Sequence, residues 1–540
     1  MSKRDVVTGL AIGLASVTCV PRAHAAGQSC EQLAQLRLPN TKVTSAETVA
    51  AGAFTPPANR MPSLANFYKQ LPAFCRVKAV AAPSADSDIK IEVWLPTSGW
   101  NGKFRGQGNG GFAGEIDYRS LGQSISQGYA AAATDTGHAA SGTDARWALG
   151  HPEKITDFAY RAIHEMTAVG KATVKAFYGD APQHAYFASC SNGGRQALME
   201  AQRFPEDYDG ILAGAPANYW THLLTSALWN AQVTTLDPAS YIPTSKIPAL
   251  AHAVNEACDG ADGVKDGVLN DPRKCHFKPA TLLCKEGDSD SCLTQPQVTA
   301  LEKLYEGARD SIGRQVFPGF MPGGEEGGGG WPLWITGPGP GQSLLFAFGN
   351  GYFSDMVYND ANWNYKTAKL DDTVAASDKK FASVLNATDP DMKAFASHGG
   401  KLIIYHGWND AAISALNSID YYESVRKTMG PAQTDAFLRL YLVPGMQHCG
   451  GGPGTDTFGQ FGFSPQNDPQ HNLYMALEQW VEKGSAPTSV IASRLDGQGP
   501  AAKVIETRPL CAYPQEAKYK GSGSGNTSDA ANFVCAAPEK

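Results

Sequence analysis

His184-Ala-Tyr-Phe-Ala-Ser-Cys-Ser-Asn-Gly-Gly-Arg-Gln-Ala-Leu-Met-Glu-Ala-Gln-Arg-Phe204 passes from strand to helix through one tight turn. Residues 184–189 form a short apolar run, Cys190 to Gly194 a turn of small residues, and Arg195 to about Phe204 a helix closed by Pro205. A serine hydroxyl needs a base within reach and donors for the developing oxyanion before it becomes a useful nucleophile. A strained strand-to-helix turn, usually G-x-S-x-G, presents such a serine. Here the turn is Ser189-Cys190-Ser191-Asn192-Gly193, with a small serine in the first glycine's place.

Outward from the turn, strand and helix patterns alternate. Strands are predicted over 88–96, 209–215, 401–406 and 439–443, residues 129–134 form a small apolar run ending at Asp135, and a helix is predicted over 155–178, stopped by Gly179. This alternation predicts an α/β fold, an α/β-hydrolase core with a mostly parallel sheet. Residues 219–390 break the rhythm with Gly, Pro, Asp and Trp, and read as an inserted lid between core segments 26–218 and 391–540. A large insertion at the edge of such a sheet usually borders the ligand crevice; a long ordered decoration is the blander alternative.

The nucleophile's partners occur in the chain order this fold requires, Ser, then Asp, then His. Asp410 follows the strand 401–406, and His448 follows the strand 439–443. His448 is the expected base for Ser191, and Asp410 the residue that fixes its tautomer. Oxyanion donors are expected from the backbone N–H of Asn192 and from the loop Gly108-Asn109-Gly110-Gly111, through Gly110 or Gly111.

Residues 1–25 read as an export signal, with Lys3 and Arg4, an apolar stretch from Val6 to Val20, and the cleavage pattern Ala23-His24-Ala25. The expected location is secreted or periplasmic. Eleven cysteines are present, and Cys19 leaves with the signal. An even number then remains, which suggests disulfides in an oxidising compartment. About 945 pairings are possible, with Cys284 and Cys292, and Cys511 and Cys535, close in sequence. Charged residues are 18% and net charge is −7, with no basic run, so nucleic-acid binding is set aside. No other apolar run is long enough to span a membrane, and the oligomeric state stays open.

The Cys190-Ser191-Asn192-Gly193-Gly194-Arg195 turn, Gly407-Trp408-Asn409-Asp410 and the adjacent His448-Cys449 resemble the tannase/feruloyl esterase family. That family includes fungal feruloyl esterases, tannases and bacterial mono-(2-hydroxyethyl) terephthalate hydrolase. The resemblance implies a disulfide Cys190–Cys449 and, by position, Cys30–Cys75, Cys258–Cys275, Cys284–Cys292 and Cys511–Cys535. It also implies a structural Ca2+ in the lid. Between Cys258 and Cys275, Asp259, Asp262 and Asp266 crowd a glycine-punctuated loop, and such carboxylates repel unless solvated or bound to a cation. Matched to the family, the ligands are the side chains of Asp259, Asp262 and Asp266 and the carbonyls of Val264 and Val268.

The implied substrate is a small ester of an aromatic carboxylic acid. Trp331, Trp334, Phe346, Phe348, Tyr352, Phe353 and Ile413 are candidates to line its pocket, with Trp334, Phe346, Phe348 and Ile413 foremost. A terephthalate monoester requires a cation for its free carboxylate. Arg309 and Arg314 are available, but no feature of the sequence places either in the pocket, so a feruloyl or tannase-type acid is favoured. A non-catalytic, calcium-stabilised binding protein and a lipase are the competing classes. The intact triad argues against the first, and the lack of an amphipathic lid helix against the second.

Overall fold

The computed structural model describes residues 27–57, 64–497, 502–521 and 526–538; the expected export signal lies outside them. Ten strands make one sheet: β1 (Arg37–Leu38), β2 (Thr41–Val49), β3 (Phe74–Ala81), β4 (Ile89–Pro96), β5 (Lys103–Gln107), β6 (Ala130–Thr134), β7 (His184–Cys190), β8 (Gly210–Gly214), β9 (Lys401–Gly407) and β10 (Leu438–Val443). Their order is β1-β2-β3-β4-β6-β5-β7-β8-β9-β10. The edge β1 to β4 is antiparallel, as is β4 to β6, and every pairing from β6 through β5 to β10 is parallel. The parallel strands are buried almost throughout, as helices covering both faces require.

The predicted strands are present, each within about two residues of its expected ends. The predicted helix over 155–178 is present and begins earlier, at Pro152. Its regular part is α1 (Ala162–Tyr178), closed by Gly179 at φ 85°. Before it, Asp157–Arg161 forms a wider turn, in which Arg161 Nε donates to the buried carboxylate of Asp157 at 2.5 Å. The sequence reading missed β2 and β3. Helix α2 (Asn192–Arg203) follows β7 with only Ser191 between them.

Between β8 and β9 the chain leaves the sheet. This insertion is helical, with α3 (Trp220–Thr235), α4 (Leu344–Gly351) and α5 (Leu370–Leu385) among its longer pieces. Its ends meet: Ala387 N–H donates to the Asn218 carbonyl at 2.8 Å, and Thr221 N–H to Asn386 Oδ1 at 3.0 Å. It packs on the core through one aromatic cluster, where Phe112 and Phe158 of the core meet Trp220 and Phe348 edge-on or tilted. All five disulfides form with the partners that the resemblance implied.

Candidate active site

Ser191 sits between the last residue of β7 and the first of α2, with φ 67° and ψ −125°. A non-glycine residue in that conformation persists only where its surroundings hold it. Ser191 N–H donates to the Gly214 carbonyl (2.9 Å), and the Ser191 carbonyl accepts from Ala217 and Arg195 N–H (both 3.1 Å). Space is short. A Cβ on Gly193 would stand 1.9 Å from Ser189 Oγ, and one on Gly108 2.8 Å from Ser189 Cβ. Ser189 therefore fits in its unusual place because glycines face it on both sides.

The Cys190–Cys449 disulfide, with Cα atoms 6.0 Å apart, ties this turn to the loop after β10. In that loop His448 Nδ1 lies 2.8 Å from Asp410 Oδ2. Asp410 is fully buried, and burial alone would raise its carboxyl. The charge of His448 and the hydrogen bonds from His406 and His448 outweigh this and hold it well below the usual carboxylate range. Its Oδ1 accepts from the backbone N–H of Ala412 (2.8 Å) and Ile413 (2.9 Å).

The insertion braces the Asp410 and His448 loops from outside. Gly329 N–H donates to Gln447 Oε1 (3.0 Å), Gln447 Nε2 to the Glu326 carbonyl (2.6 Å), and Asn409 Nδ2 to the Gly323 carbonyl. The glycine-rich stretch of the insertion thus grips the residues immediately before Asp410 and His448.

Ser191, Asn192, Gly111 and His448 share one small, mostly apolar cavity. Its remaining wall includes Trp220, Leu223, Leu224 and Ala227 of α3, Leu345 and Phe348 of α4, Trp334, and Ile413. Trp334 presents an edge to the His448 ring at 5.0 Å and lies parallel to Phe348 at 6.3 Å. Of the two loop glycines, Gly111 reaches this cavity; Gly110 lines a neighbouring groove with Gly108 and Asn109. Asn192 begins α2, so its N–H belongs to the helix's unpaired first turn. Gln196 of α2 reaches the same glycine loop: Asn109 N–H donates to its Oε1 at 2.9 Å.

Phe346 is not at the cavity. It meets Tyr365 edge-on at 5.0 Å, away from Phe348. Two residues on a helix are separated by about 200° of rotation, so Phe346 and Phe348 cannot both face the substrate. Trp331, Tyr352 and Phe353 are buried core residues. Arg314 pairs with Asp310 and Arg309 bonds the Gly313 carbonyl; the cavity wall holds no lysine or arginine. Sequence reading missed the α3 wall, although Trp220, Leu223, Leu224 and Ala227 follow a helical stripe at i, i+3, i+4 and i+7. It also missed His406, which lies 3.2 Å from Asp410 Oδ2.

In the acidic loop, Asp259 Oδ1 accepts from Asp266 and Gly267 N–H, Asp262 Oδ1 from Val264 N–H, and Asp266 Oδ1 from Val268 N–H. Asp266 Oδ2 also accepts from Arg508 at 2.6 Å. Burial, with the charges of Asp266 and Asp259, pushes the Asp262 carboxyl up to about 6. Among the described residues, the one group of three His or carboxylate side chains whose ligand atoms lie within 4.8 Å is elsewhere: His164, Glu200 and Asp207.

The sequence model of the family described as "Tannase and feruloyl esterase" matches residues 75–536. The chain is 41% identical to an uncharacterised esterase of Xanthomonas campestris pv. campestris, over 97% of this chain and 93% of that protein. It is 34% identical to a probable feruloyl esterase B-2 of Aspergillus terreus, over 93% and 94%. The structure of feruloyl esterase B from Aspergillus oryzae superposes with a TM-score of 0.84 at 30% identity, covering 94% of this chain and 99% of that one. Tannin acyl hydrolase from Aspergillus niger shares the fold, with a TM-score of 0.72 at 24% identity and coverages of 93% and 92%. The chain belongs to the tannase and feruloyl esterase family, and is an α/β-hydrolase and a carboxylic ester hydrolase.

Proposed function

We propose that this protein cleaves esters of uncharged aromatic carboxylic acids through an acyl-enzyme on Ser191, with His448 as base and Asp410 as its orienting carboxylate. The observation that carries the reading is the shared cavity: Ser191 in its strained turn and the Asp410-bound His448 line the same apolar wall. Ser191 Oγ attacks the ester carbonyl as His448 takes its proton. The N–H groups of Asn192 and Gly111 receive the developing oxyanion. His448 returns the proton to the leaving alcohol, then takes one from the water that releases the acid. Trp334, Phe348 and Ile413, with the α3 stripe, hold the aromatic acid. A wall without lysine or arginine favours a neutral ring such as ferulate or gallate over a terephthalate carboxylate.

The insertion's acidic loop is the proposed Ca2+ site. Asp259, Asp262 and Asp266 would hold the ion with the Val264 and Val268 carbonyls. Support comes from the three carboxylates gathered in one loop, where burial, with the charges of Asp266 and Asp259, raises Asp262, a cost that a cation offsets. Bound there, calcium supplies charge neutralisation to the lid and takes no part in the reaction. Export by the N-terminal signal is part of the same proposal. The five disulfides suit an extracellular protein, and among the described residues no helix is long and apolar enough to cross a membrane.

The test is hydrolysis of methyl ferulate, methyl gallate, mono-(2-hydroxyethyl) terephthalate and p-nitrophenyl butyrate by the purified protein and by Ser191→Ala. The neutral aromatic esters should be preferred, and the variant should lose at least about ten-thousand-fold in turnover. Activity surviving in Ser191→Ala, or a preference for the butyrate, overturns the corresponding part.

A further inference from the structure

Asp410 serves two histidines. His406, near the end of β9 and fully buried, places Nε2 3.2 Å from Asp410 Oδ2 and 3.0 Å from the Ile413 carbonyl. Its Nδ1 lies 2.7 Å from Ser418 Oγ, on helix α6 (Ala415–Met429). These partners fix the tautomer. A carbonyl and a carboxylate both accept, so Nε2 carries the proton; Nδ1 then accepts, and the Ser418 hydroxyl donates to it. The imidazole is held at both ends.

The two imidazoles converge on one oxygen. His448 Nδ1 is 2.8 Å from the same Oδ2, while Oδ1 is occupied by the N–H groups of Ala412 and Ile413. Carboxylate charge drawn toward His406 is withheld from the imidazolium that forms on His448 during catalysis. Meanwhile the second His406 bond fastens Ile413, a residue of the cavity wall, to the same ring.

We infer that His406 is a positioning residue of the active site, which fixes the Asp410 carboxylate against Ile413 and shares its Oδ2 with His448. The inference rests on the triad roles proposed above. Few other charges bear on the pair. Helix α6 contributes the hydroxyl of Ser418, and the insertion contributes the uncharged Trp334. Buried Glu325 is bonded to Tyr305 and Gly323, Arg195 to Asn192, and Arg273 lies over Trp408.

The measurement is the pH profile of kcat and KM on methyl cinnamate, which has no ionisable group, for the full-length protein and for His406→Leu, His406→Gln and Ser418→Ala. Leucine removes the donor to Oδ2, so the acid limb should move up by about half a unit to one unit, kcat should fall about tenfold and KM should hold. Glutamine, with an N–H near the Nε2 position, should restore most of both. Ser418→Ala frees the tautomer and should move the limb in the same direction; it also carries the test if the leucine variant does not fold. An acid limb unmoved in Leu or Ala, with only a lowered kcat, overturns the inference and leaves His406 a packing residue. Ser191→Ala separates the two failures. If that variant is inactive while the limb stays fixed, only the His406 assignment falls.

Discussion

Asp410 in the core and Asp262 in the insertion are both carboxylates short of solvent, and they respond in opposite ways. Asp410 is fully buried, yet its carboxyl is held far down, because the charge of His448 and the hydrogen bonds of His406 and His448 outweigh the cost of burial. Asp262 is half-buried, and that burial, joined by the charges of Asp266 and Asp259 against a single backbone N–H donor, raises its carboxyl to about 6. Burial raises both carboxyls; the charges and donors beside each decide whether that cost is overcome. Asp410 is complete as it stands. Asp262 has a deficit that a cation is suited to fill.

The sharpest way to break this contrast is to neutralise each acid in turn. Asp410→Asn should lower kcat by about ten-thousand-fold, while Asp262→Asn should leave kcat within about twofold and change only stability. A comparable kcat loss in Asp262→Asn would end the distinction between a catalytic and a structural acid.

The disulfides offer a second comparison. Cys190–Cys449 closes a loop of 259 residues and Cys511–Cys535 one of 24. In the chain-entropy account, replacing each pair by alanine should cost roughly 5 and 3 kcal/mol respectively in urea denaturation. Only the first replacement should also lower kcat, since it alone joins the nucleophile turn to the histidine loop. Equal effects on kcat would remove the positional role.

A smaller effect concerns pH. The folded-state carboxyl of Asp262 titrates above its unfolded value, so metal-free protein gains from this group at low pH and loses that gain as pH rises from about 4 to about 6. After allowance for solvent screening, Asp262→Asn should flatten that loss by about 1 kcal/mol in chelated protein. Calcium should raise Tm in the wild type more than in the variant. If calcium moves neither, the loop is a solvated acidic turn.

The parts of the molecule legible in the sequence are those whose signal is local. The strand, turn and helix around Ser191 follow from small residues and apolar runs, and the order of Asp410 and His448 from the strands before them. β3 was missed although Val77, Ala79 and Ala81 alternate and are buried. Arg76 is also buried, bonded to Glu92 at 2.7 and 2.8 Å, a partner visible only once β3 and β4 pair. His406 was hidden for the same reason: its partners Ser418, Ile413 and Asp410 gather only after α6 folds against β9. Phe346 is a different kind of miss. Helical geometry alone separates it from Phe348, and the reading of α4 as a list of aromatics overlooked that.

The hydrogen-bonded neck at Asn218 and Ala387 has a consequence for how such enzymes diversify. A segment that departs from and returns to adjacent residues imposes no span on the sheet it leaves. It can lengthen, shorten or be exchanged as a cassette, with new aromatic walls laid over the same serine, while the strands beneath keep their register.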